Sequence, residues 1–409
     1  MLSDIDIDNL IKPFTDRSKV IEDYIVKIIA QRIKEIGTMK PSDIRKLERL
    51  YKTGSDVKAI NEEIARITGL QVKDIKKLIK EVAADSYADA KPYYDYRHIA
   101  QIPLSQNVEL QNVIVATALQ TQKTFKNLSN SKMLGFVIRD MKKPKKLKFY
   151  TAEETYKSVV DEAIQAAQSG VIDYNTAMRR TLKQLNSSGL RKIYWDSGYT
   201  QRADSAIQRN ILDGIRQINQ WIHILTGKKF GADGYELTAH HAPAPDHAPF
   251  QGHMFTERQF KRLQKNKSFK DINGNHFPAQ RRIIGQWNCK HFAYPIIIGV
   301  SHPKYTDEEL QDILDENEKG VTLPNGKHVT LYELTQIQNA KALKVRQMKD
   351  GQIMAKEAGN MELAKEYQAK VNKYTKEYNA FNKYVGEQAN ISSRPDKLTV
   401  SGYKKISTK

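Results

Sequence analysis

Cysteine is almost absent from this chain: its 409 residues include one, Cys289. A single thiol cannot build an intrachain disulfide framework, and such a composition fits a reducing cytoplasm. No apolar stretch approaches the roughly 18–20 residues that a membrane-spanning helix needs, so no membrane association is expected. The opening MLSDIDIDNL is acidic and lacks the apolar core of a signal peptide, so folding in a cytoplasm is the expectation. A phosphate-binding glycine loop and a paired-carboxylate motif are missing too, as are the local signatures of known cysteine enzymes. Acidic side chains are in deficit, 47 against 66 basic ones, which leaves a formal charge of +19. That excess favours an anionic partner, nucleic acid first, although a generally basic soluble protein has the same balance.

What is there is mostly helical periodicity. From Asp16 to Ile36 the apolar residues Val20, Ile21, Tyr24, Ile25, Ile28, Ile29, Ile33 and Ile36 recur every three or four positions, which predicts an amphipathic helix ended by Gly37. A second helix is expected from Pro41 to Gly54, and two short ones over Ile60–Ile67 and Val72–Val82. Tyr93, Tyr94 and Tyr96 read as a helix end packed on a core. Leu110–Phe125, Ala152–Ser169, Ile172–Leu185 and Thr200–Leu225 are further helices, the last ended by Gly227. Asp307 opens another after Tyr305, and Tyr332–Val385 reads as a helical hairpin turning at Gly359. Pro324-Asn325-Gly326 is a turn between two short strand-like segments. The tail from Arg394 to Lys409 is basic and expected to be extended.

The stretch from Tyr235 to His302 differs. It holds seven of the ten histidines, the lone cysteine and five of the thirteen prolines. Tyr235 to Ala239 alternates like a strand; Ile283–Trp287 and Pro295–Val300 suggest two more. Phe260–Phe269 reads as a short basic helix or turn, and Asn273-Gly274 as a tight turn. The expected fold is therefore mainly α with a small, loop-rich α+β central domain, a helical N-terminal arm and a C-terminal helical hairpin. By segment this gives an arm at 1–92, a helical domain at 93–230, a His-rich α+β module at 231–304, and C-terminal helices with a basic tail at 305–409.

His240, His247, Cys289 and His291 are the candidates for chemistry. Their nitrogen and sulfur donors suit zinc, although His-x6-His…Cys-x-His is not a standard finger spacing and Cys-x-His demands a turn. Two histidines beside Asp246 could act as acid and base on a phosphodiester, or Cys289 with a histidine as a nucleophilic pair. The blander reading, which takes precedence, is that these side chains cross-link a proline-rich loop by hydrogen bonds to carbonyls that lack other donors. On that reading no cofactor is expected and the chain is not an enzyme. The alternatives are a zinc ion at these four residues and a nuclease- or hydrolase-like activity.

Three basic features could meet phosphates: Lys142–Lys148, with Lys142, Lys143, Lys145 and Lys146; the stripe Arg202, Arg209 and Arg216, spaced every seven residues; and Arg258–Lys270 with Arg281 and Arg282. None interleaves aromatics in a base-stacking pattern. Any contact is expected to be to the backbone, without sequence preference.

Several of these residues carry a resemblance. His240 and His247 followed by Gln251, Gly252 and Phe255, then Asn288, Cys289, His291 and Pro295 with Gly299 and Ser301, are similar to motifs of the phage minor capsid protein 2 family. So are Ser197–Gln217, Tyr332–Val345 and the closing Arg394…Val400, Gly402 and Tyr403. The Gln-Gly…Asn-Cys pair also resembles the signature of the wider Mu-type minor head, or head morphogenesis, proteins of tailed phages. Ala244-Pro245 departs from the pattern, since relatives commonly carry an arginine before the proline. The resemblance implies a virion component in the head interior or at the portal vertex, acting in head assembly and in DNA packaging or ejection. Its implied partners are the portal protein, major capsid or scaffold proteins, and packaged double-stranded DNA held nonspecifically, with the host cytoplasm as the place of assembly. It implies no catalytic residue.

Overall fold

A computed structural model describes residues 4–40, 43, 54–96, 98–140, 143, 145–169, 173–271, 274–279, 283–284, 289, 291–389, 391 and 393–398. The chain is mainly helical with small antiparallel sheets. It forms two compact units, each discontinuous in sequence: residues 1–11, 73–124 and 209–336 make one, and residues 12–72, 125–208 and 337–409 the other.

Helix α1 spans Asp4–Thr38, and its part in the second unit, from Lys12 on, buries Val20, Ile21, Ile25, Ile29, Ile33 and Ile36 in an apolar cluster. Gly37 lies within this helix, one residue before its end, and the Tyr174 ring favours a glycine there: a Cβ would sit 2.6 Å from Tyr174 Cε1. The Tyr174 hydroxyl donates to the Ile33 carbonyl. The helix expected over Pro41–Gly54 falls almost wholly outside the described residues. Where two short helices were expected, one continuous helix α2 (Ser55–Asp89) runs through Gly69. A mid-helix glycine costs only about 1 kcal/mol. Burial of Ile60, Ile64 and Ile67, and a bond from the buried Gln71 amide to the Phe14 carbonyl, outweigh it.

The same unit contains a sheet that periodicity did not reveal. Strands β1 (Leu134–Arg139), β2 (Leu147–Thr151), β3 (Arg191–Tyr194) and β4 (Tyr199–Arg202) pair antiparallel in the order β2-β1-β3-β4. Of the Lys142–Lys148 run, Lys143, Lys145 and Lys146 lie between β1 and β2 and Lys148 lies in β2, and the last long central helix begins at Ala203 rather than Thr200. It continues through Gly227 to Lys229. Helices Ala152–Ser169 and Tyr174–Ser188 lie where expected. So does the hairpin of Leu331–Glu357 and Met361–Ala389, turned at Gly359 and pinned by a 2.6 Å bond from Gln338 to Asn382 between its helices. Of the tail, Pro395–Leu398 forms one 3-10 turn, and Val400, Gly402 and Tyr403 lie outside the described residues.

The first unit holds the His-rich module. Its strands are β5 (Gly234–Leu237), β6 (Met254–Thr256), β7 (Phe269–Lys270), β8 (His276–Phe277) and β9 (Ala293–Ile296). Strand β5 is the middle of a three-stranded sheet, with β6 and β9 antiparallel on either side. The strand expected over Ile283–Trp287 is not a member: Ile283 and Ile284 are not in a strand, and residues 285–287 lie outside the described residues. The expected third strand starts two residues earlier, at Ala293, and ends at Ile296. The basic helix spans Glu257–Leu263, with a capping box from Thr256 and Gln259, and Phe269 opens β7, which pairs with β8. The core is aromatic: Phe250, Phe255, Phe269 and Phe277 pack with centroids 5.2–5.6 Å apart. Tyr94 is buried edge-on against Phe230, as expected of a helix end on a core.

Candidate functional site: a buried His-Cys-His cluster

Strand β5 is buried on both faces, so its alternation does not sort polar residues to solvent. Glu236 is buried and accepts the Lys304 backbone N–H at 2.6 Å, and its burial raises its pKa. Beyond β5 the chain forms a loop over residues 238–253 that returns to β6. Thr238 N–H donates to the Phe292 carbonyl at 2.9 Å, and Phe292 N–H donates to the Thr238 hydroxyl at 3.0 Å, which ties the loop's start to the lead-in of β9. At its other end Gly252 N–H donates to the Leu237 carbonyl at 3.1 Å. Glycine is required there: its φ is +73°, and a Cβ would lie 2.2 Å from Leu310 Cδ2. That is a physical reason for the Gln-Gly pair of the motif.

Four candidates meet inside this frame. His247, Cys289 and His291 are 1–2% exposed, and one donor atom from each lies within 4.8 Å of the others. Cys289 Sγ is 3.4 Å from His291 Nδ1, and the His291 backbone N–H also donates to Sγ at 3.4 Å. That second bond makes the turn that Cys-x-His demands. His240 stacks on His291 with ring centroids 4.4 Å apart, and its Nδ1 faces the His241 carbonyl at 3.0 Å. Asp246 approaches His247 Nε2 at 3.9 Å.

Gln251, which the sequence marks only as part of a motif, organises the cluster. Its Oε1 accepts the His240 backbone N–H at 3.2 Å and faces His291 Nε2 at 3.4 Å. An amide oxygen can only accept, so the neutral tautomer that matches this contact carries its proton on Nε2 and turns the Nδ1 lone pair to Cys289. The Gln251 amide nitrogen is buried with no hydrogen-bond partner among the described residues. Phe255 is fully buried in the aromatic core, and Pro295 lies against Gly227, where a Cβ would be 2.2 Å from the proline Cβ. Asn288 lies outside the described residues. His253, beside Phe277, has its pKa lowered by burial.

The basic candidates divide. Lys143, Lys145 and Lys146 are exposed at the β1–β2 turn; Lys142 lies outside the described residues. Arg209 is half-buried. The other two arginines do not form an exposed stripe. Arg216 is 2% exposed, with its guanidinium 5.7 Å from the Phe292 ring centroid. Arg202 ends strand β4 and pairs with Glu22 at 3.3 Å and Asp204 at 3.2 Å. Its charge is consumed within its own unit by carboxylates, one of the two partners expected for such a residue.

That pairing belongs to a network absent from the sequence expectations. Lys19 Nζ lies 3.1 Å from Glu22, 2.9 Å from Asp23 and 3.0 Å from Asp350, all largely buried. Burial drives the Asp23 pKa up to about 7, against the attraction of Lys19 and with the help of Asp350 and Glu22. Burial raises Asp350 as well. Glu22 and Asp204 stay low: burial opposes this, and Lys19 and Arg202 respectively overcome it.

Comparison with known proteins follows the motifs. The family model described as phage minor capsid protein 2 matches residues 2–383, so the chain belongs to that family and is a structural protein of a phage head. No curated protein and no solved structure matches it. Among the described residues no helix is long and apolar enough to cross a membrane.

Proposed function

We propose that this member of the phage minor capsid protein 2 family works at the portal vertex, joining portal and shell during head assembly and touching packaged DNA through backbone phosphates alone. The family match over residues 2–383 carries the reading. The formal charge of +19 supports an anionic neighbour, and the exposed cations of the β1–β2 turn, Lys143, Lys145 and Lys146, are the contact we assign. Lysine ammoniums on a short turn neutralise phosphates without reading bases. Burial of His247, Cys289 and His291 argues against a nucleophile or acid–base pair, since either must reach a substrate. We therefore assign the cluster a structural role.

Imaging of the assembled head vertex with this chain located in it tests the reading, supported by pull-down with the portal protein. A chain found neither at the vertex nor bound to portal would overturn it. A salt titration against two unrelated duplexes tests the DNA part. Equal affinities with a steep negative salt slope are expected; no binding at low ionic strength would move the charge to acidic protein partners.

A further inference from the structure

We propose that His247, Cys289 and His291 hold one zinc-class divalent ion, which staples the 238–253 loop to the segment entering β9. The inference does not rest on the portal reading. In tetrahedral zinc sites the bonds are about 2.3 Å to sulfur and about 2.0–2.1 Å to nitrogen, so neighbouring donors lie roughly 3.5 Å apart. Cys289 Sγ and His291 Nδ1 already stand at 3.4 Å, and the third donor lies within the same 4.8 Å set. A thiol–imidazole hydrogen bond would need only Cys289 and His291. A third soft or borderline donor, brought from another segment and buried with them, is what an ion needs.

The surroundings suit a ligand set. Gln251 Oε1 faces His291 Nε2, which leaves Nδ1 as the lone-pair nitrogen on the sulfur side; metal-bound histidines are commonly oriented by an acceptor on the far nitrogen in this way. The His291 backbone N–H points at Sγ and stabilises a thiolate. His240 stacks on His291 with its Nδ1 at the His241 carbonyl, beside the three-donor set rather than part of it. The buried Gln251 amide nitrogen, without an acceptor among the described residues, is a polar group of the same pocket that hydrogen bonds among the side chains do not satisfy. Binding exchanges the Cys289 thiol proton for the ion and releases it to water; no electrons move. Sulfur with imidazoles selects zinc over magnesium or calcium, which take oxygen donors.

Elemental analysis of the purified full-length chain should find about one zinc per chain. Loading the metal-stripped chain with cobalt should give a thiolate-to-metal charge-transfer band and the strong visible bands of a tetrahedral ion. Cys289→Ser should abolish the charge-transfer band, and His247→Ala and His291→Ala should lose the stoichiometric metal. His276→Ala, at an exposed histidine of the same module, should keep both. Wild-type chain with native circular dichroism, no stoichiometric zinc and no cobalt–thiolate band would overturn the proposal, leaving a hydrogen-bonded cluster. That result needs no variant to fold. Metal retained in full by folded Cys289→Ser would overturn it equally.

Discussion

Replacing Asp23 by asparagine should remove most of a pH dependence of stability that the wild-type helix α1 carries. Around the Lys19 ammonium stand Glu22, Asp23 and Asp350, with Arg202 and Asp204 adjoining. Lys19 and Arg202 are thus set against four carboxylates, and the Arg346 charge also acts on Asp204. One carboxylate is left without a matching charge, and it is cheaper to protonate it than to bury it ionised. Asp23 takes that proton near neutrality, with a folded pKa of about 7 against an ordinary 3.8. The folded pKa is the higher one, so between these two values the native state binds more protons than the unfolded state. Stability therefore rises as pH falls through the folded midpoint. From one unit above that midpoint to one unit below, this residue adds about 1.4 kcal/mol. Hydrogen exchange of α1 amides, corrected for intrinsic rates, should show about tenfold more protection at the lower pH in the wild type. In Asp23→Asn that increment should be lost or sharply reduced, Asp350 of the same cluster also being raised by burial, and the comparison cancels contributions from groups that do not interact with Asp23. Equal pH dependence in both proteins, or protection that rises with pH, would refute the reasoning.

Gly252→Ala should destabilise the first unit by roughly 1–3 kcal/mol, because φ is +73° and a Cβ meets Leu310 at 2.2 Å; shortening Leu310 to alanine alongside it should relieve the clash but leave the backbone strain, as denaturant unfolding would reveal. Phe255→Ala removes a fully buried ring packed on Phe269 and Phe277 and should cost about 3–5 kcal/mol; a cost below about 1 kcal/mol would mean that this aromatic core is not what holds the module. Changing Lys143, Lys145 and Lys146 together to glutamine should leave folding intact and flatten the log–log salt dependence of duplex binding by as much as about 2.7, roughly 0.9 for each phosphate no longer neutralised; an unchanged slope would put the DNA contact elsewhere.

The helical part of the fold was legible because its helices are one-sided. Val20 to Ile36 repeats at helical spacing and is buried on that face, and Thr306 with Glu309 caps the helix from Asp307 as the acidic first turn implies. The four-stranded sheet was not. Strand β1 is apolar on both faces, so it has no alternation to read, and β2 is half-exposed and follows a lysine run that reads as a loop. One signal was available: Asp196-Ser197-Gly198, with Gly198 at φ +67°, is a turn between two aromatic-bearing segments. The cluster's members stood out by composition alone, but not their convergence, since nothing in the spacing relates His247 to Cys289 across short strands and a helix.

The arginine stripe illustrates why charge in a sequence is a poor guide to surface. Seven-residue spacing puts Arg209 and Arg216 on one side of a helix, and the default inference sends that side to solvent. The default holds only where a helix has a solvent side. This helix has one, marked by the exposed Trp221, but Arg216 lies on the packed part: Ile215, Ile218 and Asn219 are all buried, as are Ile211, Leu212, Ile222 and His223. Burial of Arg216 leaves its guanidinium to find its partners within the protein, and Phe292 supplies a ring face. Arg202 reaches the same end by another route, as a strand residue held between Glu22 and Asp204. Both count toward the formal excess of +19, yet Arg216 is buried and Arg202 already faces two carboxylates of its own unit. The charge that a partner feels is therefore better judged from the lysines at the β1–β2 turn, whose exposure follows from sitting on a short polar connection, than from any periodic pattern of arginines.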